Sequence, residues 1–288
     1  MTRVILALLI AIVIVIAVAS TALALWQRND RNAERALWTE LASRQPTAPE
    51  RFELSMLEGL PEPAQRYFRF AIKPGTLLQT VAEISMQGEL GLGSKAEPNY
   101  LPMHAEQLLA FPQGFVWRLS ADGVAPVSGS DAAGNGKSWS RFWAFGILPV
   151  ARAGSNKDHL RSAFGRYLAE AVFWTPAALL KGDGVRWIEI DESTVRVTAT
   201  YFGLEQSVDL SVDAGGRPTK VVFQRWSDAN PAKVFQLQPF GGYLSEYREF
   251  GGFVLPTRVE AGNFFETEDY FPFFRVNVLS IRYPESAG

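Results

Sequence analysis

The feature that most constrains the fold is a two-residue alternation of apolar and polar side chains that recurs along most of the chain. It is seen in TVAEISMQGEL, GFVWRLSA, VRWIEIDESTVRVTATYF and SVDLSVDAGGRPTKVVFQRW. Alternation of this period places every second side chain on one face of a β-strand. Glycine pairs at 215–216 and 251–252 separate neighbouring segments, as they do in β-hairpins. The pattern predicts a mainly β (α+β) fold, in which roughly ten strands form a curved antiparallel half-barrel sheet.

The N-terminal residues follow a different pattern. The run from Val4 to Trp26 contains no charged residue. A helix of that length spans roughly 34 Å at ~1.5 Å per residue, which is enough for a hydrocarbon core of ~30 Å. We therefore predict a transmembrane anchor over residues 1–28, with residues 4–26 in contact with the membrane. A signal peptide cleaved after Ala19 is the alternative, although the apolar run is longer than such a peptide needs.

The arginines around the apolar run bear on its orientation. Arg3 precedes the run, whereas Arg28, Arg31 and Arg35 follow it. Taken alone, the positive-inside rule places the following domain in the cytoplasm. Because the run also resembles a secretion signal, we expect the opposite arrangement. The expected location is the bacterial inner (plasma) membrane, crossed once, with a periplasmic, extracytoplasmic domain.

The rest of the chain divides into a connecting segment and one domain. Residues 29–59 are charged and then rich in proline, which predicts a juxtamembrane helix followed by a linker. Residues 60–288 are enough for a single β-rich globular domain with one core. LPEPAQRYFRFAI opens this domain as a helix, because Pro63 suits the first helical turn.

One helical segment interrupts the strands, and it carries more apolar surface than an ordinary amphipathic helix. In RYLAEAVFWTPAALL, residues 166–180, one apolar stripe follows the helical period. Phe173 and Trp174 lie off that stripe, and Thr175 and Pro176 predict a helix break directly after them. We predict that this helix forms a lid on the half-barrel. Phe173 and Trp174 then either line a ligand cavity or seal the open end of the sheet.

Further candidate ligand-binding residues come from a charge pair and from aromatic clusters. Arg166 and Glu170 share one helical face, where they form either a surface ion pair or a covered polar feature of the kind found in binding sites. SWSRFWAF places two tryptophans on one side of a strand, and NFFETEDYFPFFRV is dense in aromatics, which suits a hydrophobic pocket or a loop that touches lipid. The candidate ligand-binding residues are Trp139, Trp143, Arg166, Glu170, Phe173 and Trp174.

The sequence lacks the motifs that mark the common catalytic and metal sites. It has no cysteine, and His104 and His159 lie far apart without an H-E-x-x-H motif, so we predict polar surface roles for both and no metal site. No G-x-S-x-G motif is present, and GSDAAGNGKS departs from a P-loop and is interpreted as a glycine-rich turn. We predict no catalytic residue and no cofactor. A net charge of −2 provides no basic face for nucleic acid.

Five segments carry a family resemblance: LPEPAQRYFRFAI, GILPVARAG, RYLAEAVFWTPAALL, VRWIEID and EYREFGGFVLPTRVE. Through them, residues from about Leu60 to Tyr283 resemble a family of uncharacterised bacterial proteins, a domain of unknown function that often carries an N-terminal membrane anchor. That resemblance implies no activity, cofactor or catalytic residue. VDAGGRPTKVVF and EYREFGGFVLPTRVE are also similar, more weakly, to paired strands of lipoprotein carriers of the LolA and LolB type, half-barrels that curl over an apolar ligand.

These observations favour a binding protein over an enzyme, because no catalytic constellation is found. The expected ligand is a lipid, an acyl chain or another hydrophobic molecule held between the sheet and the helix. One alternative is an envelope hydrolase that uses Glu170 at the mouth of the pocket. Another is a non-catalytic scaffold in an envelope complex, which predicts a filled core and an exposed apolar patch. The sequence indicates no particular protein partner.

Overall fold

The computed structural model describes residues 2–285, in which 13 strands form one antiparallel sheet. The strand order is β6-β5-β4-β3-β2-β1-β13-β12-β11-β10-β9-β8-β7, so the sheet stays open between β6 and β7. The predicted mainly β fold with a curved antiparallel sheet is confirmed. The strands are β1 (Val81–Gly91), β2 (Tyr100–Ala110), β3 (Gly114–Ala121), β4 (Val127–Gly134), β5 (Lys137–Ala144), β6 (Leu148–Gly154), β7 (Val185–Asp191), β8 (Thr194–Tyr201), β9 (Leu204–Val212), β10 (Pro218–Ser227), β11 (Gln236–Phe250), β12 (Phe253–Asn263) and β13 (Phe271–Arg282).

The helices lie before the sheet and between its two edge strands. They are α1 (Thr2–Ala42), α2 (Glu62–Ala71), α3 (Lys157–Trp174) and α4 (Ala177–Leu180), with a turn of 3-10 helix at Leu54–Leu57. The N-terminus of α3 is capped by Asn156, whose Oδ1 accepts the backbone N–H of His159 at 2.8 Å. Helix α3 ends at Thr175, directly before Pro176, so the predicted break in the lid helix is confirmed.

Helix α1 does not stop at the end of the apolar run. It continues unbroken to Ala42, so the predicted juxtamembrane helix is an extension of the anchor helix rather than a separate element. The physical reason is tertiary packing, because Leu37 and Leu41 are buried against the sheet. The packed domain therefore begins within α1, before the boundary at residue 60 that the sequence predicted.

Strands β4 and β6 were not predicted from the sequence. The segment GSDAAGNGKS was interpreted as a turn, but only Asn135 and Gly136 turn the chain, and the residues before them belong to β4. The small residues of β4 obscure the apolar–polar alternation that would have indicated a strand. Gly134 is small because α1 packs against it. A Cβ atom on Gly134 would lie 2.7 Å from Cδ1 of Leu37, so a larger side chain at this position would force the Leu37 side chain to move.

The two faces of the sheet pack against different helices. The inner, concave face packs against α2, α3 and α4 and forms the main hydrophobic core, as predicted for the lid helix. The outer face packs against the second half of α1, where Leu37 and Leu41 meet Leu108, Val116 and Trp139. This outer helical layer is an addition that the sequence pattern did not indicate.

Candidate functional site

A cavity of about 320 Å³ lies between α3 and the inner face of the sheet. Inward-pointing side chains of β3 alternate along the strand, so that Trp117 and Leu119 face the cavity while Arg118 faces α1. Strands β1, β4, β5, β10, β11, β12 and β13 supply the remaining sheet wall. Most of the lining is apolar, and its aromatic members are Trp117, Phe142, Phe173, Trp174, Phe223, Phe240, Phe273 and Phe274.

The cavity has a closed floor and an open side. Trp174, Val221 and Val259 are buried and form the floor. Leu90 and Val127 are half-buried, and Leu92 is exposed to solvent at the end of β1. The cavity therefore opens at the end of the sheet that carries the turns 92–99, 122–126 and 145–147. We call this the cavity end, and the opposite end, where α2 and α4 pack, the filled end.

One side of the cavity is polar, and its centre is Arg166 on α3. Its guanidinium pairs with Asp131 of β4, and its Nε donates to Oε1 of Glu170 at 2.8 Å. The other carboxylate oxygen of Glu170 accepts Nε2 of Gln107 at 2.6 Å. Burial disfavours the charge on Arg166, but the two carboxylates outweigh that effect, and the net result is a raised pKa.

A second arginine, Arg225 of β10, lines the same polar side. Its guanidinium carbon lies 4.9 Å from the centre of the Phe240 ring. Burial first, and then the nearby charge of Arg166, lowers the pKa of Arg225 to about 10, so the side chain is still charged at neutral pH. Within residues 2–285, its Nε atom is buried without a hydrogen-bond partner, and so is Nε1 of Trp117. Unpaired donors of this kind each cost about 1–3 kcal/mol.

The sequence predicted a polar surface role for His159. In the structure its side chain is half-buried and lies beside this polar group. Its Nδ1 is 2.8 Å from Oγ of Ser138, and its Nε2 is 3.1 Å from Oγ of Ser140. The hydroxyl of Ser140 donates in turn to Asp131 at 2.8 Å. Burial is the main cause of a lowered pKa for His159. The first turn of α3 packs on β5 and so leaves this histidine half-buried.

Four of the six candidate ligand-binding residues line the cavity. Phe173 and Trp174 contribute apolar wall, and Arg166 and Glu170 contribute to the polar side. Trp174 is as fully buried as the core residues of α3, and its Nε1 donates to the Pro256 carbonyl at 3.3 Å. Trp174 therefore belongs both to the cavity floor and to the core, and truncating it would disturb both.

Trp139 and Trp143 lie on the opposite face of the sheet, away from the cavity. Nε1 of Trp143 donates to the carboxylate of Asp30 at 3.0 Å, and the Trp143 ring lies 5.5 Å from the Trp26 ring. Trp139 packs in the small cluster around Leu37. The two tryptophans do share one side of β5, as the sequence indicated, but that side binds α1.

Several residues of the polar side were missed by sequence reasoning. Asp131 was assigned to a turn, and Arg225 drew no attention because it lies on an ordinary alternating strand. The available signal was a charged residue at an inward position, since Val221, Phe223 and Arg225 share one face of β10. In the aromatic segment 263–276, Phe273 and Phe274 of β13 line the cavity, whereas Phe265, before that strand, packs on Tyr243.

The geometry of Glu170 does not favour the hydrolase alternative. Each of its carboxylate oxygens accepts a hydrogen bond from a side chain, Arg166 on one side and Gln107 on the other. A general base needs an oxygen free to approach a water or a substrate proton. The neighbouring Ser138 hydroxyl is buried, so it is closed to a substrate. The arrangement fixes α3 to β2 and β4 and leaves an apolar hollow beside it.

Comparison with known proteins identifies the family. The model of the Family of unknown function (DUF6544) matches residues 50–276, and the chain belongs to this family. The predicted membership of an uncharacterised family is confirmed. No curated protein matches the chain in sequence.

Two solved structures share part of the fold. One is a LolA superfamily protein from Nitrosomonas europaea, with 11% identity, a TM-score of 0.41 and coverage of 76% of this chain and 90% of that one. The other is a domain from Vibrio parahaemolyticus described as an outer membrane lipoprotein-sorting protein, with 12% identity, a TM-score of 0.42 and coverage of 82% and 93%. At this level of similarity they say nothing about a ligand of this chain.

Proposed function

We propose that this family member is a membrane-anchored binding protein that holds a lipid or another hydrophobic ligand in the cavity beneath α3. One observation carries the proposal: a hollow of about 320 Å³ with largely apolar walls interrupts an otherwise packed inner face. Protein interiors pack as densely as organic crystals, so an apolar space of this size is unusual unless something fills it. No catalytic group is needed for this role.

The size of the cavity limits the ligand. Ligand sites commonly measure about 300–1,000 Å³, so this cavity lies at the small end of that range. Its aromatic walls, including Phe142 and Phe274, offer flat apolar surface and no charge. We infer a single acyl chain, or an apolar molecule of similar size, rather than a lipid with several chains fully enclosed.

The polar side of the cavity suits the head group of an amphiphile. The carboxylates of Asp131 and Glu170 are already paired with Arg166, whereas Arg225 forms no ion pair within the described part of the chain. Among the cavity-lining residues, the groups left without partners there are Nε of Arg225 and Nε1 of Trp117, and both are donors. Among the same described residues, Oε1 of Gln107 is also buried without a partner, but Gln107 does not line the cavity. A ligand group that accepts hydrogen bonds, a carboxylate above all, would complement the two donors.

Helix α1 supports the membrane part of the proposal. By length and composition it is able to cross a membrane, and most side chains from Val4 to Trp26 are exposed rather than packed on the domain. We infer a single-pass protein of the bacterial inner membrane with its domain outside the cytoplasm. Carbonate extraction of cell membranes should leave the full-length chain in the pellet. A soluble form that begins at Ser20 would mean that the segment is a cleaved signal.

A fragment of residues 28–288 offers a direct test of ligand binding. It omits the apolar run but keeps Leu37 and Leu41 on the outer face. Purified without detergent and extracted with organic solvent, it should release an acyl-chain compound detectable by mass spectrometry. Ala261→Trp places an indole in the cavity and should abolish that signal. Finding no ligand in either protein, or equal amounts in both, would contradict the proposal.

The head-group assignment has its own test. The fragment should bind palmitic acid more tightly than hexadecanol, which has the same chain length and no charge. Arg225→Met should weaken binding of the acid by roughly tenfold to a hundredfold, since a charge-assisted hydrogen bond contributes about 1.5–3 kcal/mol, and should leave the alcohol unaffected. Arg161→Met is the matched control, because Arg161 lies over Trp226, outside the cavity. Equal losses for both ligands would refute a charge contact.

A further inference from the structure

The turn between β5 and β6 exposes an unusual amount of apolar surface. Phe145, Ile147, Leu148 and Val150 are each between 52 and 57% exposed. Phe145 and Gly146 both have positive φ, as residues of tight hairpin turns often do. We call residues 145–150 the apolar turn. Four large apolar side chains within six residues form a patch of the kind that marks contact with a membrane or a partner.

The apolar turn lies beside the point where α1 leaves its apolar run. A Cβ atom on Gly146 would lie 3.6 Å from Nε2 of Gln27, the residue directly after Trp26. The guanidinium of Arg152, just beyond the turn on β6, stacks 4.4 Å from the centre of the Trp26 ring. Tryptophan and arginine are typical of the boundary between lipid and water. The turn therefore lies at the level of that boundary.

The remainder of α1 fixes the sheet in this orientation. Asp30 holds β5 and β6 through Trp143, Arg141 and Arg152, with Nη1 of Arg141 at 3.3 Å from its carboxylate. One turn further along, Glu34 accepts Nε of Arg118 at 2.6 Å.

The last contact of this outer layer is made just after α1 ends. Oε1 of Gln45 accepts the backbone N–H groups of Thr80 and Val81 at 2.9 and 3.1 Å, at the start of β1. The helix therefore runs across the outer face from the cavity end to the filled end. The domain cannot turn about the anchor without breaking these contacts.

The mouth of the cavity lies at the same end as the apolar turn. Because consecutive strands are antiparallel, the turns 92–99, 122–126 and 145–147 share one end of the sheet. The backbone N–H of Phe145 donates to the Pro126 carbonyl at 2.9 Å, which joins two of these turns directly. Leu92 and Val127, in and beside the same turns, line the mouth.

We propose that the apolar turn inserts into the interface of the bilayer that carries α1, and that it holds the mouth of the cavity against the lipid surface. The partner is the membrane surface itself, and a ligand then passes between bilayer and cavity without crossing water. Exposed Arg28 and Arg31 follow Trp26 within five residues of α1, about 8 Å at ~1.5 Å per residue, which is close enough to meet anionic head groups. This inference rests on the proposed anchoring by α1, but not on the identity of the ligand.

The absence of cysteine allows a clean test in the full-length chain. Ile147→Cys, labelled with an environment-sensitive fluorophore, is reconstituted in phosphatidylglycerol–phosphatidylcholine vesicles that carry a nitroxide near the head groups. The label should lose most of its emission to the nitroxide and be shielded from iodide in the water. Lys137→Cys is the matched control, because it is exposed at the other end of β5, about 23 Å away at ~3.3 Å per residue. Its label should keep its emission and remain open to iodide.

Two further measurements separate the possible failures. If the protein floats with the vesicles but the label at 147 behaves like the label at 137, the anchor is real and the inserted turn is refuted. If the protein does not float with vesicles at all, both the anchoring and this inference fail. Asp30→Ala should reduce the quenching at 147 without releasing the protein, because it loosens the domain from α1. Unchanged quenching in that variant would refute the role of the outer-face contacts in orienting the domain.

Discussion

The two ends of the inner face differ in what covers them. At the filled end, Phe68 of α2 packs edge-on against Trp187, and Phe253 stacks near Tyr283. At the cavity end, Phe142 and Phe274 flank an open space instead. Aromatic side chains are present at both ends. The cavity therefore does not result from a shortage of apolar residues at that end.

The difference lies in the chain segments that return to each end. The 3-10 turn, α2 and α4 all pack at the filled end, and Phe52 and Leu57 are buried there before the first strand begins. The turns at the cavity end are mostly exposed. The inner face of the sheet is therefore covered at the filled end and open at the cavity end. Comparable substitutions at the two ends should therefore have unequal effects.

The largest difference is expected for a matched pair of phenylalanine truncations. Phe68→Ala at the filled end should lower the free energy of unfolding by about 3–5 kcal/mol, because it opens a void in a packed core. Phe142→Ala at the cavity end should cost much less, since its ring is half-buried and already borders open space. Urea titrations of both variants measure the difference. Equal losses would mean that the cavity end is packed in solution.

The next effect concerns the polar side of the cavity. Asp131→Asn removes the carboxylate that pairs with Arg166 and should cost about 1.5–3 kcal/mol, the range for hydrogen bonds to charged groups. Arg196 and Asp209 form a more exposed pair on β8 and β9, and Asp209→Asn should cost less than about 1 kcal/mol. Similar losses for the two variants would show that the Arg166 cluster is solvated.

A pair of enlargements tests the comparison from the opposite direction. Ala171→Trp forces an indole into the packed side of α3 and should cost about 1–3 kcal/mol or more. Ala261→Trp fills the cavity and should change the unfolding free energy by less than about 1 kcal/mol. Thermal unfolding of both variants shows the contrast. A strongly destabilised Ala261→Trp would indicate that the space is too narrow for a ligand.

The smallest effect is a pH dependence from His159. Because burial lowers its pKa, the folded state binds a proton less readily than the unfolded state, whose histidine titrates near ~6.5. Its contribution to stability is therefore present above that pH and is lost as the pH falls toward the folded pKa. Urea midpoints measured from pH 8 to 5.5 should fall in the wild type and fall less in His159→Asn. Parallel curves would show that His159 is solvated.

The sequence predicted the features that repeat along the chain. Alternation identified most strands, and Pro176 marked the end of α3 correctly, because both follow from local backbone geometry. For Phe173 and Trp174 the sequence left two possibilities, lining a cavity or sealing the end of the sheet, and in the structure both residues are buried and line the cavity. The length of α1 could not be predicted locally, since it depends on contacts that Leu37 and Leu41 make with a distant sheet.

The misplaced residues have a common physical cause. An alternating strand shows that two sets of side chains face opposite ways, but it does not show which set meets which helix. Trp143 was therefore assigned to the cavity although Asp30 holds it on the outer face. Asp131 was missed because small neighbours concealed its strand. Its importance becomes visible only when Arg166 on α3 is placed above it.

Photocrosslinking in cells tests the central claim, a cavity that holds an acyl chain, most directly. Cells expressing the full-length chain are fed a fatty acid with a diazirine on its chain, irradiated, and the crosslinked peptides are located by mass spectrometry. We expect adducts on the cavity strands, at Trp117 and Phe274, in addition to adducts within Val4–Trp26. Ala261→Trp should remove the cavity adducts and leave those of the anchor. Adducts confined to the anchor, or cavity adducts that persist in Ala261→Trp, would contradict the claim.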